Sequence, residues 1–325
     1  MAKIGFIIII LVAPLATLLI ASAIKHSTKL KKEASRFLPP GRMVALKDQK
    51  LHVYTAGKGK LILVFLAGHG TSCPTLDFKP LWLKMMDEYR IAVVERPGYG
   101  WSETSDNPRD INTMLQETRE ALRRAGEKGP YVLMPHSMSG LEAIYWAQQY
   151  PEEVKAIVGL DPCTPETIGI LPEPKKVQLA VMYVIARVGL ARLMSETDRE
   201  KQFPLLKSDA FTNEDKQNYI AAFFKNAFSR DMMREIKYLK PNAVEVANNE
   251  TPVNTPMCFF ISHDQEQQSV GWKEILENYL SHIKVTRQFQ LDTTHYVHHE
   301  KADFISVKTK QFLKELDESQ APNHH

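Results

Sequence analysis

From Met43 to Leu160, short apolar runs alternate with amphipathic stretches of helical length, and this alternation limits the possible folds more than any other feature of the chain. Runs at Met43 to Leu46, Leu51 to Thr55, Leu61 to Ala67, Arg90 to Glu95, Tyr131 to Met134 and Val154 to Leu160 read as strands. The first two are expected to pair as an antiparallel hairpin. The others lack strict polar alternation, as strands buried on both faces do, and stretches at Leu76 to Glu88, Ile111 to Ala125 and Gly140 to Gln149 read as the covering helices. A mostly parallel sheet flanked by helices follows.

Beyond Cys163 the strand pattern stops, and helices are expected at Lys175 to Met194, Asn213 to Phe228 and Arg230 to Leu239. Strand character returns at Met257 to Ser262 and Val285 to Leu291, with helices at Trp272 to Ser281 and Ala302 to Leu316. The expected organisation is a core formed by residues 43–162 and 254–318, interrupted by a helical cap over residues 163–253. A basic linker at 26–42 precedes the core, and a polar tail at 319–325 follows it.

A chain of 325 residues, 44% hydrophobic and 24% charged, can build one large core carrying such an insertion. The net charge of +3 is small and dispersed, which argues against a nucleic-acid partner. Cys73, Cys163 and Cys258 have neither metal-site nor redox-pair spacing and read as free thiols. Residues 4–24 form a nearly unbroken apolar run flanked by Lys3 and by Lys25, Lys29, Lys31 and Lys32. Its length predicts a single-pass membrane anchor within residues 1–25, on a side of the membrane the charges do not decide. The small residues Ala21-Ser22-Ala23 support a cleaved export signal and a secreted protein as the alternative.

The chemistry centres on Tyr131-Val132-Leu133-Met134-Pro135-His136-Ser137-Met138-Ser139-Gly140, where an apolar strand meets a helix start. This segment resembles the nucleophile elbow of the α/β-hydrolase fold family, in which a sharp turn lifts a serine above the sheet. Pro135 and Ser139 stand where the family usually has glycine. The competing reading of Ser137 is an ordinary helix N-cap. The Leu66-Ala67-Gly68-His69-Gly70-Thr71 stretch falls where the family places an oxyanion loop. By that resemblance, the backbone N–H groups of Thr71 and Met138 are the expected oxyanion donors. His295, in Asp292-Thr293-Thr294-His295-Tyr296, resembles the family's catalytic histidine, whereas His298 and His299 read as surface residues and a metal cluster is not expected. The family order of serine, acid and histidine puts the acid after Met257 to Ser262, favouring Glu266 over Asp264, with Asp161 at the end of the sixth strand as a further candidate. Glu95-Arg96-Pro97-Gly98-Tyr99-Gly100-Trp101-Ser102 resembles the family's structural turn after the fourth strand.

The resemblance covers Met43 to Leu316. It implies an eight-stranded, mostly parallel α/β-hydrolase sheet with a cap inserted after the sixth strand. It also implies a cofactor-free serine hydrolase, resembling capped esterase and proline iminopeptidase members, that acts on a small apolar ester or amide. Two alternatives remain open: a proline-iminopeptidase-type aminopeptidase, and a slow or non-catalytic ligand-binding protein on the same scaffold. Oligomeric state is not legible.

Overall fold

The computed structural model describes residues 2–249, 251 and 253–320, apart from the side chains of residues 2–12, 15 and 320. An eight-stranded sheet runs in the order β1-β2-β4-β3-β5-β6-β7-β8. The strands are β1 (Arg42–Ala45), β2 (Lys50–Ala56), β3 (Ile62–Leu66), β4 (Arg90–Val94), β5 (Tyr131–Pro135), β6 (Val154–Leu160), β7 (Met257–Ser262) and β8 (Thr286–Leu291). β1 and β2 pair antiparallel, and β2 meets β4 antiparallel. Every remaining pair is parallel.

The sheet is the partition between two apolar layers, and strand periodicity sorts residues between them. Ile62, Val64 and Leu66 of β3 face one layer, while Leu63 and Phe65 face the other. Helices in chain order begin with α1 (Ala2–Ala34), the short α2 (Pro74–Asp77) and α3 (Lys79–Trp82), α4 (Ile111–Ala125) and α5 (Ser139–Gln149). The segment between β6 and β7 contributes α6 (Lys176–Arg187), α7 (Glu196–Gln202), α8 (Asn213–Asn226) and α9 (Arg230–Ala247). The C-terminal part adds α10 (His263–Gln268), α11 (Trp272–Ser281), α12 (Val297–Glu300) and α13 (Ala302–Gln320). The first layer packs α4, α5 and α11, and the second packs α3 and α13. Each fully buried Leu, Ile, Val or Phe in these layers contributes roughly 1.5–3 kcal/mol.

Local signals explain the element ends. Asp110 caps α4 by accepting from the Thr113 amide at 2.8 Å. The helix expected over Leu76 to Glu88 is instead α2, α3 and a run of turns, because Pro80 has no amide hydrogen to continue a helical ladder. At the other edge of the sheet, β8 exposes Arg287 and Gln288, polar side chains that discourage further strand pairing.

The membrane expectation is corrected. Among the described residues, no helix is long and apolar enough to cross a membrane, so the anchor over residues 4–24 and the membrane localisation drawn from it are not sustained. The side chains of residues 4–12 and 15 lie outside the described residues. Further along α1, the helix is occupied by protein contacts. Ser22 donates to the Val188 carbonyl at 2.7 Å, and buried His26 accepts from Arg192 Nε at 2.8 Å. The Arg192 guanidinium also grips both carboxylate oxygens of Glu33, at 2.7 and 2.6 Å. The second half of α1 is therefore a strut on the inserted helices.

Candidate active site

Ser137 follows β5 and precedes α5, with φ +54, a left-handed conformation that a non-glycine residue adopts only where its surroundings enforce it. The enforcement is visible. The Ser137 carbonyl accepts from the amides of Gly140 at 2.9 Å and Cys163 at 2.8 Å, closing the turn from two sides. Ser139 is buried, its hydroxyl 2.7 Å from the Leu66 carbonyl and 2.8 Å from the His136 carbonyl, so it ties the turn to β3. The position that tolerates no side chain is Gly140, where a Cβ would stand 2.1 Å from the Cys163 carbonyl oxygen. Serine at 139 is thus an anchored member of the bend, and the steric demand falls on the next residue.

The loop after β3 presses on this bend at Gly68. A Cβ there would lie 2.9 Å from both Ser137 Cβ and His136 Nδ1. Thr71, the expected oxyanion donor, is three residues beyond this closest approach, and the His69 amide adjoins it directly. The other expected donor, the Met138 amide, begins the turn into α5.

His295 sits in the loop after β8, its side chain 21% exposed, and its Nδ1 lies 2.6 Å from Asp161 Oδ2. Asp161 is wholly buried at the end of β6, and its carboxylate is saturated. Oδ1 accepts from the Ser262 amide and from Trp272 Nε1, both at 3.0 Å, and Oδ2 accepts from the Ser262 hydroxyl at 2.5 Å besides His295. His136, next to Ser137, packs its ring against that of His295 with centroids 4.7 Å apart, and its Nε2 donates to the His295 carbonyl at 3.2 Å. The Ser137 and His295 loops are thereby joined, although no direct hydrogen bond links the Ser137 hydroxyl to the His295 ring.

The favoured acid, Glu266, is elsewhere. There is no open loop after β7, because Ser262 at the strand's last position is already the N-cap of α10 and accepts from the Gln265 amide at 3.1 Å. Glu266 is turned to the start of α11, accepting from the amides of Gly271 at 3.0 Å and Lys273 at 2.7 Å, and Asp264 accepts from Gln268 at 2.8 Å. Of the three candidates, the structure brings only Asp161 to His295. The pattern Ser262-His263-Asp264-Gln265, a helix-start signature placed at the strand end, was the available sequence clue.

His298 and His299 are not surface residues. Both Nε2 atoms converge on Asp77, at 2.8 and 3.1 Å, and His298 is fully buried. Burial by itself would raise the Asp77 carboxyl, but the imidazoles of His299 and His298 hold it well below the usual carboxylate range. Burial, with His299 beside it, pushes His298 down to about 4. His136 is likewise held well below its ordinary value by burial and by neighbouring His295 and His298. Asp77, His298 and His299 are the one set of three ligand-type side chains among the described residues that could hold a metal ion, their ligand atoms all within 4.8 Å of one another. His295 stands outside this set.

Arg96, in the turn after β4, reaches well beyond that turn. Its guanidinium reaches the Gly68 carbonyl at 3.4 Å, Glu235 of α9 at 3.3 Å and Glu142 of α5 at 3.6 Å. Burial opposes ionisation of Glu235, yet Arg96 and then His69 keep its carboxyl below the ordinary value. A buried ionic cluster therefore joins the inserted helices to the loop that lies over Ser137, a role that could not be read from local pattern because Glu235 is distant in the chain.

The comparisons agree with this architecture. Residues 72–230 match the family model described as the alpha/beta hydrolase fold. The chain belongs to the α/β-hydrolase fold family. It is 33% identical over 324 residues to the uncharacterized protein YbdG of Bacillus subtilis strain 168, covering 97% of this chain and 98% of that one. Similar solved structures include the epoxide hydrolase VrEH1 from Vigna radiata, with TM-score 0.63, 18% identity and coverage of 84% and 97% of the two chains. A haloalkane dehalogenase loop variant, DbeA-M1 from Bradyrhizobium elkanii, has TM-score 0.62, 13% identity and coverage of 87% and 99%. At such identities these two structures speak for the fold alone.

Proposed function

We propose that this α/β-hydrolase is a serine hydrolase cleaving a carboxylic ester or amide through an acyl-enzyme on Ser137. The observation that carries the reading is the Ser137 bend at φ +54, standing beside an imidazole whose far nitrogen is held by a buried carboxylate at 2.6 Å. In this scheme Asp161 fixes the Nδ1–H tautomer of His295 and leaves Nε2 as the base. His295 takes the Ser137 proton as the hydroxyl oxygen bonds to the substrate carbonyl carbon. The oxyanion is met by the Met138 amide and by an amide of the Gly68 to Thr71 loop, each worth about 10² to 10³ in rate. His295 then gives its proton to the leaving oxygen or nitrogen, and a water deprotonated by the same imidazole releases the acid.

Serine at position 137, where a nucleophilic hydroxyl is required, supports acyl transfer through this residue. The test is labelling of the full chain by a fluorophosphonate probe, alongside a panel of p-nitrophenyl esters and aminoacyl anilides. Labelling that disappears in Ser137→Ala and His295→Ala is expected. A folded chain that resists the probe and all substrates would replace this reading with the ligand-binding one, and preference for a prolyl anilide would favour the aminopeptidase.

A further inference from the structure

α6 is an anomaly in the packing. It carries Val177, Leu179, Val181, Met182, Val184 and Ile185, yet none of its residues is buried. A helix apolar on most of its faces normally finds cover. Between α6 and α9 lies a cavity of about 960 Å³, at the upper end of the size range of small-molecule sites. Leu179 and Val184 line it from α6, Met233, Ile236 and Leu239 from α9, and Ile168 from the segment that follows Asp161 and Cys163.

The charge around this apolar space is one-sided. Lys176, Arg230, Arg234, Lys237 and Lys240 line it, against the single acid Glu173. Three of these cations are already engaged: Arg230 with Asp106, Arg234 with the carbonyls of Ser105, Asp106 and Asn107, and Lys240 with Glu173. Lys176 and Lys237 have no ion-pair partner among the described residues, and they project from the two helices that form the cavity walls. A hydrophobic slot with unneutralised ammonium groups at its rim matches one ligand chemistry, a long hydrocarbon chain ending in an anion.

The geometry points to a binding site for a long-chain fatty acid in the cavity between α6 and α9, its chain against Leu179, Val184 and Ile236 and its carboxylate at Lys176 and Lys237. The site is lined by none of Ser137, Asp161 or His295, so its existence does not rest on the hydrolase reading. Occupancy would give the inner face of α6 the cover the described residues do not provide.

The experiment uses the full-length Ser137→Ala chain, so that turnover cannot confuse binding. cis-Parinaric acid is titrated by fluorescence and displaced by oleate and by oleyl alcohol. Saturable binding of one fatty acid per chain is expected, with the alcohol displacing at least about threefold more weakly. Ala180→Trp, which fills the slot from an exposed position on α6, should weaken both ligands at least about tenfold. Lys176→Glu with Lys237→Glu should weaken oleate about three- to tenfold and leave the alcohol unchanged. Absence of saturable binding, or binding untouched by Ala180→Trp, would overturn the site; equal affinity for acid and alcohol would overturn its anionic specificity. Should Ala180→Trp fail to fold by circular dichroism, Leu179→Gln replaces it with the same expected loss.

Discussion

Two carboxylate–imidazole clusters stand side by side in this protein, built from histidines three residues apart, and they differ in how far the imidazole is exposed. Asp161 and His295 form a pair whose carboxylate is closed off by Ser262 and Trp272 but whose imidazole remains partly exposed above the sheet. Asp77 with His298 and His299 forms a sealed cluster, the carboxylate enclosed and His298 without exposure. The chemical parts are nearly the same. What differs is exposure: the His295 side chain is 21% exposed and that of His298 has none, and on the proposed reading this decides which cluster moves a proton for a substrate and which braces the fold.

The comparison is broken most forcefully by removing the reactive groups. Ser137→Ala and His295→Ala should each lower kcat by about 10⁴ or more in ester hydrolysis, with circular dichroism unchanged. Asp161→Asn should cost about 10³ to 10⁴, because an amide that donates toward Nδ1 favours the wrong tautomer. Asp77→Ala inverts the pattern: kcat per folded molecule should fall by less than about tenfold, while urea denaturation should show about 1–3 kcal/mol of lost stability as buried His298 and part-buried His299 lose their acceptor. If Asp77→Ala instead matched Asp161→Asn in kcat, the division between working and bracing clusters would collapse.

A pH series sharpens the same contrast. In the unfolded chain His298 takes a proton below its ordinary value of 6.5, whereas in the folded chain it resists protonation down to about 4. Its contribution to stability is therefore complete above 6.5 and is lost as pH falls from 6.5 toward 4, by up to about 3 kcal/mol. Denaturation midpoints across that window should show the slope, and His298→Gln should flatten it. The smallest effect expected is that of Glu266→Gln, below about threefold in kcat, since this carboxylate serves the first turn of α11.

The architecture was largely legible because it rests on local pattern. Apolar runs such as Leu61 to Ala67 and Met257 to Ser262 could only be doubly covered strands, and β3 and β7 are buried along their whole length. Ser137 and His295 could be singled out as candidates because each lies in a short segment with its own grammar. The structure pairs His295 with Asp161 rather than with Glu266, and the reason is spatial: α10 begins at the strand end and carries Glu266 away. His298 was misread because a polar triplet looks solvated until Asp77, more than 200 residues earlier, is folded against it. The apolar run at residues 4–24 misled in a related way, since length and hydropathy do not reveal that Ser22 and His26 have partners waiting near Val188 and Arg192.

The hydrogen-bonding environment of Asp161 has a consequence for how such a protein can diversify. This one side chain gathers Ser262, Trp272 and His295, all encoded after the inserted helices, onto the residue that follows β6, so the two ends of the insertion are latched together at its base. Substitutions, insertions or even wholesale replacement within that excursion can then accumulate while the latch keeps Asp161 and His295 in register.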